Sequence, residues 1–387
     1  MTSLTTELGQ RLAALREQNL FRELRRVDSA QGPRLEIGGQ TLLNFSSNDY
    51  LGLANHPDLK TAAAKALEKF GAGAGASRLI CGSLAPFHEL EEHLAAFKKT
   101  EAALTFSTGY TAALGAICAL LGKDDILILD KLVHASIVDA ARLSGAKLRI
   151  FDHNDLNDLE DKLAWAAQSR AAKSPSQILV ITESVFSMDG DRAPLREIVA
   201  LKEKHGAWLM VDEAHATGLI GHHGRGLADE LGVSSQIEIQ MGTLGKALGA
   251  SGGYICGSRV LIDFLINRAR SFIFSTAPVP AAAAAAGAGI QIIQSAEGEQ
   301  RRTHLFQLVN GLNPQSASAI VPLILGDEKT TVDAATKLRE QNIFVPAIRY
   351  PTVARNAARL RVTLTAAHSA ADLKTLVTVL KTLGIEF

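Results

Sequence analysis

The sequence is poor in cysteine. Only Cys81, Cys118 and Cys256 occur among 387 residues, widely separated and without metal-ligand spacing. That excludes a disulfide framework and a zinc site, and makes a reduced, cytosolic protein the expectation. There is no excess of charge of either sign: Lys+Arg and Asp+Glu are 40 each, so no basic field or basic tail awaits nucleic acid. Long apolar runs are also missing. The stretch from Pro278 to Ile293 is mostly alanine, too short to span a bilayer, and predicts a packed helix rather than a membrane segment. The opening MTSLTTELGQRLAALREQ is too polar for a signal peptide. No internal repeat or low-complexity linker appears. The glycine-rich GAGAGASRLICGS is not a dinucleotide fingerprint, because Ala76 stands at the third glycine position and no strand precedes it; a nicotinamide dehydrogenase is disfavoured.

What is present is a chain with 47% hydrophobic residues, long enough for a large core and two domains. Residues 4 to 26 predict an amphipathic helix with a basic end at Arg22, Arg25 and Arg26, and EIGGQTLLNF predicts a hairpin. SSNDYLGLANHP is rich in turn residues, and a helix follows it. AALTF, DDILILD, KLRIFDHND, QILVITESVFSMDGD and AWLMVD then read as strands, DDILILD and AWLMVD as buried ones, separated by helical segments that include one at Leu159 to Ala172 and one at Leu195 to His205. Strands and helices alternating at this spacing predict an α/β sandwich with a mostly parallel sheet. From about residue 290 the texture changes to helix, AIVPLILGD, helix, QNIFVPAIRYPT, RLRVTLT and a final helix, which suits a small α+β domain. The expected division is an N-terminal segment 1–45, a large α/β domain 46–289 and a small domain 290–387.

The stretch from Ala207 to Gly253 carries the chemistry. Its first part, AWLMVDEAHATG, is an apolar strand ending in Asp212 and Glu213, with His215 close behind. Ligands of open α/β sheets collect at the carboxyl ends of such strands. Its second part, QMGTLGKALGASGGYI, sets Lys246 between Thr243 and a glycine-rich segment. A carboxylate, an imidazole and a later lysine together suggest a site for an aldehyde cofactor. Singly they say less, since an Asp after a strand is commonly a cap or turn residue and a lysine in a glycine-rich loop is commonly solvated. In FSTGY, the residues Ser107 to Tyr110 lie where a strand gives way to a helix, so their amides and hydroxyls form either an ordinary cap or a phosphate cradle. His134 falls at the start of another helix and has no partner at metal-ligand spacing.

In their order along the chain, SNDYLGLANHP, SRLICGS, HELEEHLA, FSTGY, DKLVHASIVDAARLSGA, SVFSMDGDRAPL, VDEAHATGLIGHHGRG, TLGKALGASGGYI, FSTAPVP and PTV…RLRVTLTAAH resemble the α-oxoamine synthases. That family has the fold-type-I, aspartate aminotransferase-like architecture of pyridoxal-phosphate-dependent transferases. The resemblance runs from about Leu20 onward. It implies that Lys246 forms a Schiff base with pyridoxal 5'-phosphate and later serves as general base. It implies that Asp212 pairs with the protonated pyridine nitrogen, that His215 and Ser187 contact the phenolic oxygen, and that His134 stacks on the ring. The phosphate is expected on the amides of Gly109 and Tyr110 and the Thr243 hydroxyl, with Ser275 and Thr276 reaching the cofactor of a neighbouring subunit in an obligate homodimer. Arg361, assisted by Asn48, is the implied carboxylate site for the amino acid. Arg22, Arg349 and Thr352 are the implied contacts of the acyl substrate, with Arg25 the rival to Arg22.

Within the family, FSTGY, AIRYPTV and FSTAPVP most resemble the branch that condenses L-alanine with pimeloyl-CoA or pimeloyl-[acyl-carrier protein] in biotin synthesis. The alternative is a sister branch using glycine with acetyl-CoA or succinyl-CoA. A pyridoxal-fold regulatory or binding module would need a fused partner domain, and none is evident. Ala354 and Asn356 stand where the family usually has proline and glycine, which makes the shape of that loop a matter for the structure.

Overall fold

The computed structural model describes residues 3–171 and 176–386. Its strands, in chain order, are β1 (Arg34–Ile37), β2 (Gln40–Asn44), β3 (Ala102–Phe106), β4 (Ile126–Asp130), β5 (Lys147–Phe151), β6 (Ile178–Glu183), β7 (Trp208–Asp212), β8 (Ile239–Thr243), β9 (Gly253–Gly257), β10 (Ile320–Gly326), β11 (Ile343–Phe344), β12 (Ala347–Ile348) and β13 (Ala358–Thr363). Strands β3 to β9 form a seven-stranded sheet in the order β3-β9-β8-β7-β6-β4-β5. The pairs from β5 across to β8 are parallel, whereas β9 lies antiparallel between β3 and β8. Every residue of β3, β4 and β6 is buried, as their mostly apolar character suits in strands covered on both faces. This is the mostly parallel α/β sheet that the alternating sequence predicts.

Helices α1 (Leu4–Glu17), α2 (Pro57–Phe70), α3 (Ala85–Lys98), α4 (Gly109–Leu120), α5 (Ala135–Ser144), α6 (Leu156–Ala171) and α7 (Leu195–Lys204) follow in order. The expected helix at Leu159 to Ala172 corresponds to α6, with Ala172 outside the described residues. Helix α4 packs alanines (Ala112, Ala113, Ala116) and Ile117 into the core that also holds Leu104, Leu129 and Ile181. The alanine-rich stretch read as a packed helix is indeed the helix Pro280–Gln294, whose Ala283, Ala286, Ile290 and Ile293 are buried. No helix among the described residues is long and apolar enough to cross a membrane.

The first helix is shorter than its sequence predicts. It ends at Glu17 rather than continuing to residue 26, because Asn19 turns into the left-handed region at φ 57° and the amide of Leu20 closes back on the Leu15 carbonyl at 2.8 Å. Arg22, Arg25 and Arg26 therefore lie on an extended strap and not on a helical face. The hairpin forms as expected, with β1 and β2 joined through Gly38 and Gly39, both at positive φ.

Two compact units divide the chain: Met1–Tyr50, Met188–Gly190 and His304–Phe387 form one, Leu51–Ser187 and Asp191–Thr303 the other. These bounds differ from the expected 45/46 and 289/290, and the N-terminal residues group with the C-terminal ones. Long-range pairing is the reason. Strand β2 takes β11 as a parallel neighbour, Leu43 opposite Ile343. Beyond it the Thr363 amide donates to the Phe45 carbonyl at 2.8 Å, and Phe45 stacks on His368 with centroids 4.5 Å apart. In this first unit β10 and β12 flank β13 in an antiparallel sheet. The loop before β13 holds Asn356 at φ 60°, a conformation that asparagine adopts more readily than other side-chain-bearing residues, so it supplies what the family's glycine would.

In the larger unit, His153 closes the carboxyl ends of β4 and β5. Its Nδ1 lies 2.9 Å from Asp130 and its Nε2 2.8 Å from Asp191. Burial opposes the cation, but the two carboxylates outweigh it and raise the imidazole to about 10. A folded value above the unfolded one makes this pin fully stabilising below pH about 6.5, with the contribution lost as pH rises towards 10. Thermal melts of the native chain and His153→Gln across that window should show their difference in melting temperature shrinking as pH rises. A pH-independent difference contradicts a cationic pin.

Candidate active site

Strand β7 ends in Asp212 because the parallel register places Asp212 opposite Glu183 of β6 and Met241 of β8, the last apolar rung before the chain must turn. The turn is tight. The Ala214 amide donates to Asp212 Oδ1 at 2.9 Å, and the amides of Ala216 and Thr217 close onto the Glu213 carbonyl at 3.0 and 2.8 Å. This brings His215, buried at 5% exposure, back to within 2.6 Å of the Lys246 ammonium, Nε2 to Nζ. Lys246 itself leaves β8 on a looped turn held by Leu244 and Ala250, whose backbones hydrogen-bond at 2.9 Å, and by Gly249. Gly249 sits at φ +67°, and a Cβ there would come within 2.6 Å of the Leu53 carbonyl carbon, so the turn admits no larger residue.

Burial pushes the Asp212 carboxyl up, while Lys246 and the Ala214 amide pull it down. The His134 imidazole is held below its usual value, by burial first and also by the Lys246 cation, against the pull of Asp212. His134 caps α5, its Nδ1 accepting from the Ser136 amide at 3.2 Å, which leaves the ring neutral with its proton on Nε2. Gly109 and Tyr110 are the first residues of α4, so their amides have no intrahelical acceptor. The helix reaches this place because β9 starts with Gly253; a Cβ there would lie 2.5 Å from the Thr108 carbonyl oxygen and 2.6 Å from Gly109. Thr108 caps the same turn through Thr111.

Asp212, His215, Lys246, His134, Ser187, Gly109, Tyr110, Thr243, Ser275 and Thr276 all belong to the larger unit. The Thr243 hydroxyl donates to the Gly252 carbonyl at 3.0 Å. Tyr110 hydrogen-bonds Asp139 through its phenol. Ser275 and Thr276 lie on an exposed segment that a bridge between Ser77 and Thr276 ties to the SRLICGS loop. Asn48, Arg22, Arg25, Arg349, Thr352 and Arg361 belong to the smaller unit. There Arg361 is 6% exposed and fixed by Asn48 Oδ1 at 3.1 Å, Thr363 Oγ1 at 3.0 Å and the Tyr50 hydroxyl at 3.4 Å. Arg22 donates to the Tyr350 carbonyl at 3.1 Å, and the Thr352 amide to the Arg349 carbonyl at 3.0 Å, so one turn gathers all three acyl-substrate candidates. Arg22 and Arg349 border a cavity of about 420 Å³ also lined by Arg25 and Arg339, with Glu23 its lone carboxylate. Burial and the neighbouring Arg22 and Arg25 lower the Arg349 guanidinium. A larger cavity, about 660 Å³, lies at the opposite ends of β7 and β8 beside Trp208 and Ile239, and contains none of these residues.

The sequence reading missed three supports. Tyr50 and Thr363 hold Arg361, and Tyr50 is visible in SSNDYLG only as a turn aromatic. Lys98 looks like the solvated end of a helix, yet its ammonium is buried against the Glu213 carboxylate and the Arg225 carbonyl. Glu213 is itself 0% exposed and accepts the Ala228 amide at 2.9 Å.

Residues 40–380 match the family model for class I and II aminotransferases. The chain belongs to that family. It is 48% identical to an 8-amino-7-oxononanoate synthase of Anaeromyxobacter dehalogenans, covering 94% of this chain and 92% of that one. It is 45% identical to the Geobacter sulfurreducens enzyme of the same name, over 99% of both. Among solved structures, a serine palmitoyltransferase from S. paucimobilis with bound PLP and myriocin superposes with a TM-score of 0.92 at 30% identity, over 99% of this chain and 98% of that one. An 8-amino-7-oxononanoate synthase from Francisella tularensis does so with a TM-score of 0.74 at 28% identity, over 89% and 98%.

The donor set fits the cofactor of this aminotransferase family. A lysine amine suits an aldehyde, a buried carboxylate a pyridinium, an imidazole at 2.6 Å from that lysine a phenolate, and a helix start with unused amides a phosphate. Replacing Lys98 with methionine would strand the Glu213 charge in the core directly behind Asp212. Lys98→Met should lower unfolding free energy by about 3–5 kcal/mol in denaturant titrations; a loss below about 1 kcal/mol means that the pair is not held as an ion pair.

Proposed function

We propose that the chain catalyses the decarboxylative condensation of L-alanine with a pimeloyl thioester, pimeloyl-CoA or pimeloyl-[acyl-carrier protein]. The products are 8-amino-7-oxononanoate, carbon dioxide and free thiol, a step of biotin biosynthesis. The observation that carries this reading is the full-length match to synthases of that name by a chain that keeps Lys246 and His215 in contact at the end of β7. Pyridoxal 5'-phosphate, when bound, supplies the electron sink that a carbanion at the α-carbon of alanine requires.

The protein's own groups then divide the work. Lys246 holds the cofactor aldehyde covalently and, once displaced by the amino acid, takes the α-proton and returns one after decarboxylation. Asp212 keeps the proton on the pyridine nitrogen, and the Lys246 and Ala214 contacts favour its charged form. His215 and Ser187 orient the phenolic oxygen, while neutral His134 covers the ring. The α4 amides of Gly109 and Tyr110 hold the phosphate, joined by Thr243. Arg361, braced by neutral acceptors, takes the alanine carboxylate through its planar fork, with Asn48 beside it. The arginines around the 420 Å³ cavity attract the anionic acyl donor, with Thr352 on the same turn.

A homodimer is part of this reading. Leu79 and Ile80 of the SRLICGS loop are 50% and 79% exposed, and Phe274 and Val279 of FSTAPVP 70% and 47%. Apolar groups so placed beside Ser275 and Thr276 suit burial against a second copy, which would lend those hydroxyls to the neighbouring phosphate. The free thiols Cys81, Cys118 and Cys256 suit the cytoplasm.

Cofactor-loaded protein given L-alanine and pimeloyl-CoA should release thiol and an amino-ketone of the expected mass. Lys246→Ala should lose at least about 10²-fold of that rate. Turnover of glycine with a short acyl-CoA, and none of alanine with pimeloyl-CoA, would place the chain in a sister branch instead. Arg361→Lys, which keeps the charge but loses the fork, should raise the KM for alanine by about tenfold or more while leaving that for the thioester nearly unchanged. An equal rise in both would remove Arg361 from the amino-acid site.

A further inference from the structure

Directly beside Asp212 the sheet carries a second carboxyl that no step of the reaction uses. Glu183 ends β6 as Asp212 ends β7, and the two face one another in parallel register. Glu183 is 2% exposed. Its carboxyl accepts backbone N–H groups from His134 and from Ser187, residues on two different loops. Its Oε1 is buried without a hydrogen-bond partner. An ionised carboxylate in such a place would leave one oxygen of a full charge unsolvated, next to the charge of Asp212. A protonated acid meets the same surroundings at much lower cost, since its carbonyl oxygen serves the two amides and the other oxygen carries the proton.

We propose that Glu183 is a positioning residue of the cofactor site, which aligns the His134 and Ser187 backbones on Asp212 by accepting both of their amides. This rests on the cofactor assignment made above but not on the identity of the substrates. Burial first, and then the neighbouring Asp212 charge, push the Glu183 carboxyl up to about 8, so at neutral pH it is the member of the pair that keeps its proton. Asp212 is thereby left as the charged one, opposed to the pyridine nitrogen. The arrangement explains why β6 ends in a glutamate rather than in the apolar residue that its buried setting favours. It also ties the ring-covering imidazole and the residue at the phenolic oxygen to the same strand end.

The test compares Glu183→Gln, a neutral isostere that keeps an accepting oxygen, with Glu183→Ala, which has none. Three readouts are taken: the dissociation constant for pyridoxal phosphate, the circular dichroism that the site induces in the bound cofactor, and the melting temperature of the cofactor-free protein. Glu183→Gln should bind within about threefold of the native chain with unchanged dichroism. Glu183→Ala should bind about tenfold or more weakly, with reduced dichroism, and its melting temperature reports any general damage separately. Infrared spectroscopy of the loaded native protein at pH 7 should show a protonated-carboxyl stretch that Glu183→Gln abolishes, and this holds even if Glu183→Ala does not fold. The inference is overturned if Glu183→Gln is as impaired as Glu183→Ala, if Glu183→Ala folds and binds normally, or if no carboxyl stretch is lost. If the cofactor binds and responds as expected but no amino-ketone forms, the substrate assignment has failed and Glu183 keeps its role.

Discussion

A single carboxylate buried at the end of a strand sets the terms for everything around it. Asp212 stands in surroundings that penalise its charge, and the chain answers with the Lys246 cation and the Ala214 amide rather than with solvent. Lys246 contributes the largest opposing pull, yet the same amine has to be surrendered to the cofactor for the proposed chemistry. On the proposed reading, a bound pyridinium would take over the compensation of Asp212 that Lys246 supplies. His215, 2.6 Å from Lys246, keeps a polar partner for the amine until that exchange occurs.

Behind this front the acidic residues alternate in state. Glu213 follows Asp212 directly, points into the core and pairs with Lys98. Glu183 lies beside Asp212 and is neutral in the proposal made here. Three carboxyls within one strand rung of each other can coexist only if their charges are handled separately. The pair that looks decorative in the VDEAH stretch thus consists of one residue for the cofactor and one for the fold.

The parts of this arrangement that were legible in the sequence are those written locally. ILILD and ILVITE are apolar but for Thr182 and their closing carboxylates, so they read as strands covered on both faces, and the carboxylate closing AWLMVD marks the end where ligands gather. What was not legible depends on contacts between distant segments. Nothing near Leu43 announces Ile343 as its neighbour, so the N-terminal hairpin read as a separate piece. SGGYI reads only as the end of a glycine-rich segment, although Gly253–Gly257 forms β9, antiparallel between β3 and β8. Lys98, in a run of lysines, carried the pattern of a solvated helix end. Asn19 ended the first helix through its backbone conformation, against an amphipathic pattern that continued past it.

The smaller unit shows the complementary use of charge. Arg361 is buried against Asn48 and Thr363, which hold its planar fork in place, and the proposed reading assigns that fork to the amino acid's carboxylate. Arg22, Arg25, Arg339 and Arg349 instead crowd one cavity with a single glutamate for balance, and Arg349 is depressed by burial first and then by Arg22 and Arg25. Like charges held together in this way are strained until an anion arrives. An acetyl group brings no anion of its own, whereas a pimeloyl chain ends in a carboxylate. If this cavity receives the acyl donor as proposed, repulsion among these arginines would be a source of discrimination: a donor with a distal negative charge would relieve it, and a short neutral acyl group would not.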